Sequence, residues 1–263
     1  MNHIITLNLW QFGMVYVLLL LVLAVMKRCQ IGQGKLLLVA SLRMTVQLVL
    51  AGLVLTYIFK NPHPIFVLLY LASMIAMSIH TTLSRNPRLN RRFQWVVAGS
   101  LLLTGLAIIV FFICGVVGVS FWNPQYTIPI SGMIMGNAMT GVSLGLKTFY
   151  QSVLSQKTKI DTLLYIGATP HSILTPFVNQ AIETALLPTL NSMLGMGIIS
   201  LPGMMTGQIL SGTLPTTAIL YQIAIMIAIT TVVCLAVFCT LFFGCKTLYN
   251  KQNQILFSYD DAL

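Results

Sequence analysis

Apolar positions along the chain gather into seven long runs, at about 9–26, 36–59, 65–83, 95–119, 127–146, 184–207 and 216–244. Crossing the hydrocarbon core of a bilayer takes about 20 mostly apolar residues, and a spanning segment must satisfy its backbone polar groups internally. Each run is therefore predicted to be a transmembrane helix. The sixth is the least regular: it takes in Pro188 and runs into Leu201-Pro202-Gly203, so a broken or partly re-entrant helix is expected there.

The charges between the runs alternate in number. One set of connecting segments carries Lys27, Arg28 and Lys35; Arg85, Arg88, Arg91 and Arg92; Lys147, Lys157 and Lys159; and Lys246 and Lys251. The opposite set carries Lys60 alone, a twelve-to-one imbalance. Basic residues are retained on the cytoplasmic side of membranes, which places the N-terminus outside and the C-terminus, with a tail over 246–263, inside the cell's inner or plasma membrane. Removing any one run would scramble the alternation, so count and orientation support each other.

Composition agrees. Apolar residues make up 57% of the 263 and charged residues 7%, too little polar surface to disperse a soluble domain of this length. The net charge of +10 raises the question of nucleic acid, but a nucleic-acid surface collects Lys and Arg on one exposed face. Here the basic residues sit in short clusters at the ends of apolar runs, as topology signals do, and nucleic acid is not an expected partner. Cys29, Cys114, Cys234, Cys239 and Cys245 show neither a CxxC pair nor framework spacing, and read as small apolar residues. The N-terminus lacks a positive leader and a small-residue cleavage site, so the first run is expected to be retained as a helix. The fold class is thus all-α, a single polytopic membrane domain over 1–263.

One inner segment differs from the other connections. From about Lys147 to Glu183 the chain is long and mixed in polarity, and it holds two of the four carboxylates, Asp161 and Glu183. Leu163, Leu164 and Ile166 precede Gly167-Ala168-Thr169-Pro170, where Gly can end one helix and Thr-Pro can start the next. A helix–turn–helix along the inner membrane surface is predicted.

Chemistry-bearing residues are sparse. Asp260 and Asp261 lie in the tail, His3, His63, His80 and His171 are scattered without ligand spacing, and Lys147-Thr148 lacks the glycine frame of a phosphate loop. No catalytic, cofactor or resident metal site is expected. Arg43 lies well inside the second run, four residues before Gln47 and on the same helical face; it reads either as a path residue or as an anchor snorkelling to the inner interface. Small residues recur every four positions at Gly132, Gly136 and Thr140, at Gly141 and Gly145, and at Gly203, Gly207 and Ser211. That spacing permits close helix packing, within one chain or across a homodimer seam. Methionines at 133, 135, 139, 193, 196, 204 and 205 carry thioethers suited to Cu(I), yet without Cys or His at ligand spacing they read first as flexible core filling.

Three ordered strings go further: Ile128-Pro-Ile-Ser-Gly-Met-Ile-Met-Gly-Asn-Ala-Met139, Gly167-Ala-Thr-Pro170, and Ser200-Leu-Pro-Gly-Met-Met-Thr-Gly207 with Tyr221-Gln222-Ile223. With Arg43-Met-Thr-Val-Gln-Leu48 they resemble the Fet-type iron-export ABC permeases of bacteria, related to the plant aluminium-sensitivity permeases, over about residues 36–232. The resemblance implies a homodimeric permease that exports an iron-like metal ion and draws on ATP and Mg held by a separate ATPase subunit. It also implies that Asp161, six residues before Gly167, belongs with Gly167, Ala168, Thr169 and Pro170 to a coupling helix that docks into that ATPase. Arg43, Gln47, Asn137, Asn191, Ser192, Thr206 and Gln222 are then candidate path residues, and Gly132, Gly136, Gly203 and Gly207 candidate packing positions. The chain departs from the family pattern after the proline of the sixth run: an Asp-x-x-Lys is replaced by Asn191-Ser192-Met193-Leu194, which removes a carboxylate able to face a metal ion. The rival readings are a small membrane enzyme acting on lipids and a passive channel. No ring of like charges or filter carbonyls points to the channel.

Overall fold

A computed structural model describes residues 8–87 and 89–249, so His3, Arg88, Lys251, Asp260, Asp261 and the tail from 250 lie outside the described residues. The regular elements are helices: α1 (Leu9–Arg28), α2 (Gly34–Lys60), α3 (Pro64–Arg85), α4 (Arg91–Val110) continued by a π-helical turn over Phe111–Val117, α5 (Pro124–Ser155), α6 (Lys157–Tyr165), α7 (Pro170–Gly195), α8 (Gly203–Leu210) and α9 (Pro215–Cys245). Proline opens α3, α5, α7 and α9, at the position where its missing N–H costs no hydrogen bond. The residue before it caps the helix in three of these: His63, Asn123 and Thr169 accept from the amides of Ile65, Gln125 and Ser172.

α5 and α9 lie at the centre. α5 packs against α3, α4, α7 and α9, and α9 against α4, α5 and α7. The core they enclose includes Phe93, Leu101, Ile109, Ile134, Leu146, Phe149, Leu174 and Ile225, each fully buried. Three close approaches fix it. A Cβ at Gly141 would sit 2.6 Å from Val233 Cγ1, one at Gly145 would sit 3.1 Å from Val237 Cγ1, and one at Gly244 would run into the buried ring of Phe93.

The α1–α2 hairpin stands apart. Its apolar stretches are largely exposed, as helices bathed in lipid are, apart from buried Ile58 near the end of α2, and the hydroxyls of Tyr16 and Thr45 hydrogen-bond across the pair at 2.6 Å.

Five helices are long and apolar enough to cross a membrane by length and composition: 10–28, 34–60, 64–85, 91–117 and 215–245. α5 and α7 were also placed across the bilayer by the apolar pattern. They are long enough, at 32 and 26 residues, but more polar. The sixth run differs in its bounds from the sequence pattern: α7 starts at Pro170, not near 184, and the break falls over Met196–Pro202, after which α8 completes the segment. The predicted second helix of the inner helix–turn–helix is therefore the first half of α7, because Thr169-Pro170 starts a helix that Pro176 and Pro188 do not stop.

Candidate functional site

The break in α7 opens onto a groove of about 370 Å³ between α5, α7 and α9. Each of the three elements supplies one methionine and one amide or hydroxyl four residues away: Met133 and Asn137 from α5, Ser192 and Met196 at the end of α7, and Gln222 and Met226 from α9. Residues four apart on a helix share a face, which brings the α5 and α9 pairs into the groove together, while Met196 reaches it from the extended residue just past the end of α7.

Hydrogen bonds fix most of these polar groups. Asn137 Nδ2 donates to the Met133 carbonyl at 2.8 Å, and Ser192 Oγ to the Pro188 carbonyl at 2.9 Å. Gln222 is 4% exposed; its Nε2 lies 3.6 Å from Met196 Sδ, while its Oε1 is buried without a hydrogen-bond partner. Such an oxygen carries a desolvation cost that a bound donor or cation would relieve. The loop that closes the groove turns on Gly197 at φ +86°, with the Gly197 amide donating to the Ser200 carbonyl at 2.9 Å.

Of the seven sequence-level path candidates, the structure brings Asn137, Ser192 and Gln222 together. Asn191 is exposed beside the groove and does not line it; Thr206 donates to the Pro202 carbonyl at 2.9 Å. Arg43 and Gln47 are exposed on α2, away from the groove. At 1.5 Å per residue Arg43 lies about 13 Å along α2, within reach of a snorkelling guanidinium if that helix spans a core about 30 Å thick. Among the packing candidates, Gly132 faces Met74 Cε, 2.7 Å from where a Cβ would be, whereas Gly136, Gly203 and Gly207 face open space. Gly105, Gly141, Gly145 and Gly244 are also closely packed.

Sequence reading passed over Met226. Its signal was the four-residue spacing from Gln222, repeated by Met133–Asn137 and Ser192–Met196. Methionines singled out for the same softness diverge: Met135 is buried against Gly105, and Met193 Sδ accepts from Thr230 Oγ1 at 3.1 Å.

At the inner end, α6 closes in a Schellman turn, with the Ala168 amide donating to the Leu163 carbonyl and the Gly167 amide to the Leu164 carbonyl, both at 3.0 Å. Gly167 takes φ +89°, open to glycine at little cost. Thr169 then caps α7. Asp161 is half-buried on α6, and Tyr165 and Ile166 project from the turn, 90% and 74% exposed. Lys147 lies eight residues before the end of α5, so that helix continues roughly 12 Å past it towards α6. Among the described residues no group of three or more His, Cys, Asp or Glu side chains is placed to hold a metal ion.

A helical bundle with exposed apolar helices, a broken helix and an interior polar groove is the build of a polytopic membrane protein. The chain belongs to the family whose model is described as "Uncharacterised protein family (UPF0014)", which matches residues 9–249. It is 34% identical over 231 residues to the UPF0014 membrane protein YjkA of Bacillus subtilis, covering 87% of this chain and 88% of that one. It is 30% identical over 214 residues to the probable iron export permease protein FetB of Escherichia coli, covering 81% and 82%. It is 35% identical over 184 residues to Protein ALUMINUM SENSITIVE 3 of Arabidopsis thaliana, covering 70% and 66%. No solved structure matches the chain.

Proposed function

We propose that the chain is the membrane-spanning permease subunit of an ABC exporter that moves a metal ion out of the cytoplasm. It works as two copies with a separate ATPase that holds ATP and Mg. The observation that carries this reading is α7 itself. One helix begins at the exposed inner turn over Gly167–Thr169 and ends at the groove beside Ser192, a separation of about 33 Å along its axis. A rigid helix joining a docking surface to a polar groove converts movement at one end into a change of access at the other. Exposed Tyr165 and Ile166 offer that docking surface an apolar tip.

Further support comes from the relative named as a probable iron export permease and from the basic residues. Those described on the inner side, Lys27, Arg28, Lys35, Arg85, Arg91, Arg92, Lys157, Lys159 and Lys246, lie at helix ends or on α6, with Lys147 about two turns before the inner end of α5 and Lys60 at the opposite end of α2. In this reading seven segments cross the cell membrane, α7 and α8 together forming the sixth, with the N-terminus outside. A second copy facing the open side of the groove, where Asn137 and Ser192 are exposed, would close it.

The test is to purify the tagged chain from its own membranes in mild detergent and identify its companions. A stoichiometric soluble protein carrying a phosphate-loop ATPase signature, lost when 157–170 is disrupted, is the expected result. Recovery of the chain alone, with transport or lipid-modifying activity intact, would overturn the proposal.

A further inference from the structure

We infer that the groove is a binding site for a soft monovalent cation, of the class of Cu(I) or Ag(I), held by the thioethers of Met133, Met196 and Met226 with the Gln222 carbonyl oxygen. The permease reading makes this site part of the transport path; binding itself needs no ATPase.

Four observations meet at the groove. Three methionines line it, Met133 from α5, Met196 from the break after α7 and Met226 from α9, and Met196 Sδ accepts a hydrogen bond from Gln222 Nε2 at 3.6 Å, which sets that sulfur beside the amide. Gln222 Oε1 is an acceptor buried in the wall with nothing donating to it. The lining contains no Asp, Glu, His, Cys, Lys or Arg, so it neither neutralises a high charge nor repels a single positive one. The carbonyl end of α7 and the amide end of α8 both border the groove, so their dipoles offset each other and the side chains decide what binds.

Thioethers are soft donors that select Cu(I), whereas harder cations prefer carboxylates, carbonyls and water. The desolvation cost of an ion scales with the square of its charge, so a bare divalent ion meets roughly fourfold the penalty of a monovalent one in this neutral wall. An amide oxygen and three sulfurs supply the ligand number and softness that a monovalent ion of this class takes. They do not supply the anionic groups that iron without its water would need.

The experiment uses the full chain in nanodiscs under reducing, oxygen-free conditions, titrated with Ag(I) and separately with Cu(I) against a chromogenic Cu(I) chelator. Wild type is compared with M133L/M196L/M226L. Both forms contain the same five cysteines, so the difference between them reports thioethers alone. Met→Leu conserves volume and is well tolerated in packed interiors. M226L and Q222L alone serve as milder variants should the triple change not fold. Wild type should bind one more monovalent ion per groove than the triple variant, each single variant should bind at least tenfold more weakly at that site, and Fe(II) should not displace Ag(I). Equal stoichiometry and affinity in all forms, or displacement by Fe(II) at comparable concentration, would overturn the site. If the site fails while an ATPase co-purifies with the chain, the permease reading stands. If the site holds and no ATPase is recovered, the permease reading falls and the site remains.

Discussion

Gly167 offers a perturbation whose size can be worked out before it is made. Its φ of +89° is a conformation that costs an L-residue about 1–2 kcal/mol relative to the right-handed region, less for Asn and more for a β-branched side chain. A Cβ at this position would meet nothing within 4 Å, so the penalty is purely conformational and acts on the turn that joins α6 to α7. A shift of 1–2 kcal/mol changes a two-state ratio by about 5- to 30-fold. If the turn must hold its shape to pass movement from an ATPase to α7, then substrate-coupled ATP hydrolysis in proteoliposomes should fall in the order Gly167→Asn, Gly167→Ala, Gly167→Val. The alanine variant should lose severalfold to 30-fold, with membrane insertion unchanged in all three. Normal coupling in Gly167→Val, or an asparagine variant as defective as the valine one, would refute the reasoning: the first removes the turn from the mechanism, the second removes backbone conformation as the cause.

Other outcomes follow from local geometry. Gly244→Ala places a methyl group against the buried ring of Phe93, and overpacking of this kind costs about 1–3 kcal/mol; a thermal-unfolding midpoint in detergent equal to wild type would show that the α4–α9 contact yields easily. Gln222→Leu removes a buried oxygen that has no partner, so it should leave stability unchanged or raised, because an unpaired buried group costs about 1–3 kcal/mol, while export falls several-fold. Export at the wild-type level would take Gln222 out of the path. In intact cells a membrane-impermeant maleimide should label Lys60→Cys above the native-thiol background and leave Lys159→Cys unlabelled until the membrane is opened. The reverse pattern would invert the proposed orientation.

Much of the architecture was legible because bilayer physics imposes a strong rule on sequence. A run of about 20 apolar residues has few alternatives to a helix, and six of the seven runs coincide with the helices α1 to α5 and α9 to within a few residues, apart from the inward extension of α5 past Lys147. The turn at Gly167 was legible for a local reason: a glycine followed by Thr-Pro specifies a left-handed residue, a cap and a first helical position within four residues. What the pattern blurred was α7. Residues 170–183 are too polar to read as membrane-spanning, and hydropathy alone could not tell a surface helix from the inner half of a helix that continues outward. The small-residue stripes divide in a way that spacing alone does not show: only the neighbours of each glycine decide what approaches it within one chain. Gly141 and Gly145 have Val233 and Val237, while Gly136, Gly203 and Gly207 have none.

The groove was the least legible feature because its chemistry is shared among helices far apart in sequence. Met133 and Met196 stand out in the sequence only as two thioethers among several, Met226 does not stand out at all, and no ligand spacing within one segment joins them. The break over Met196–Pro202 is what makes them a set. A continuous helix through that level would keep its backbone polar groups to itself and present a closed face to α9. With the helix interrupted, Met196 leaves the helical path at an extended φ of −72° and ψ of 134°, and its sulfur meets Gln222. The apolar irregularity of the sixth run and the polarity of α5 and α7 therefore have one origin. A bundle that must hold a polar groove within lipid gives up a helix turn to make room for it, and places its few polar side chains on the helices that face it rather than on those that face lipid.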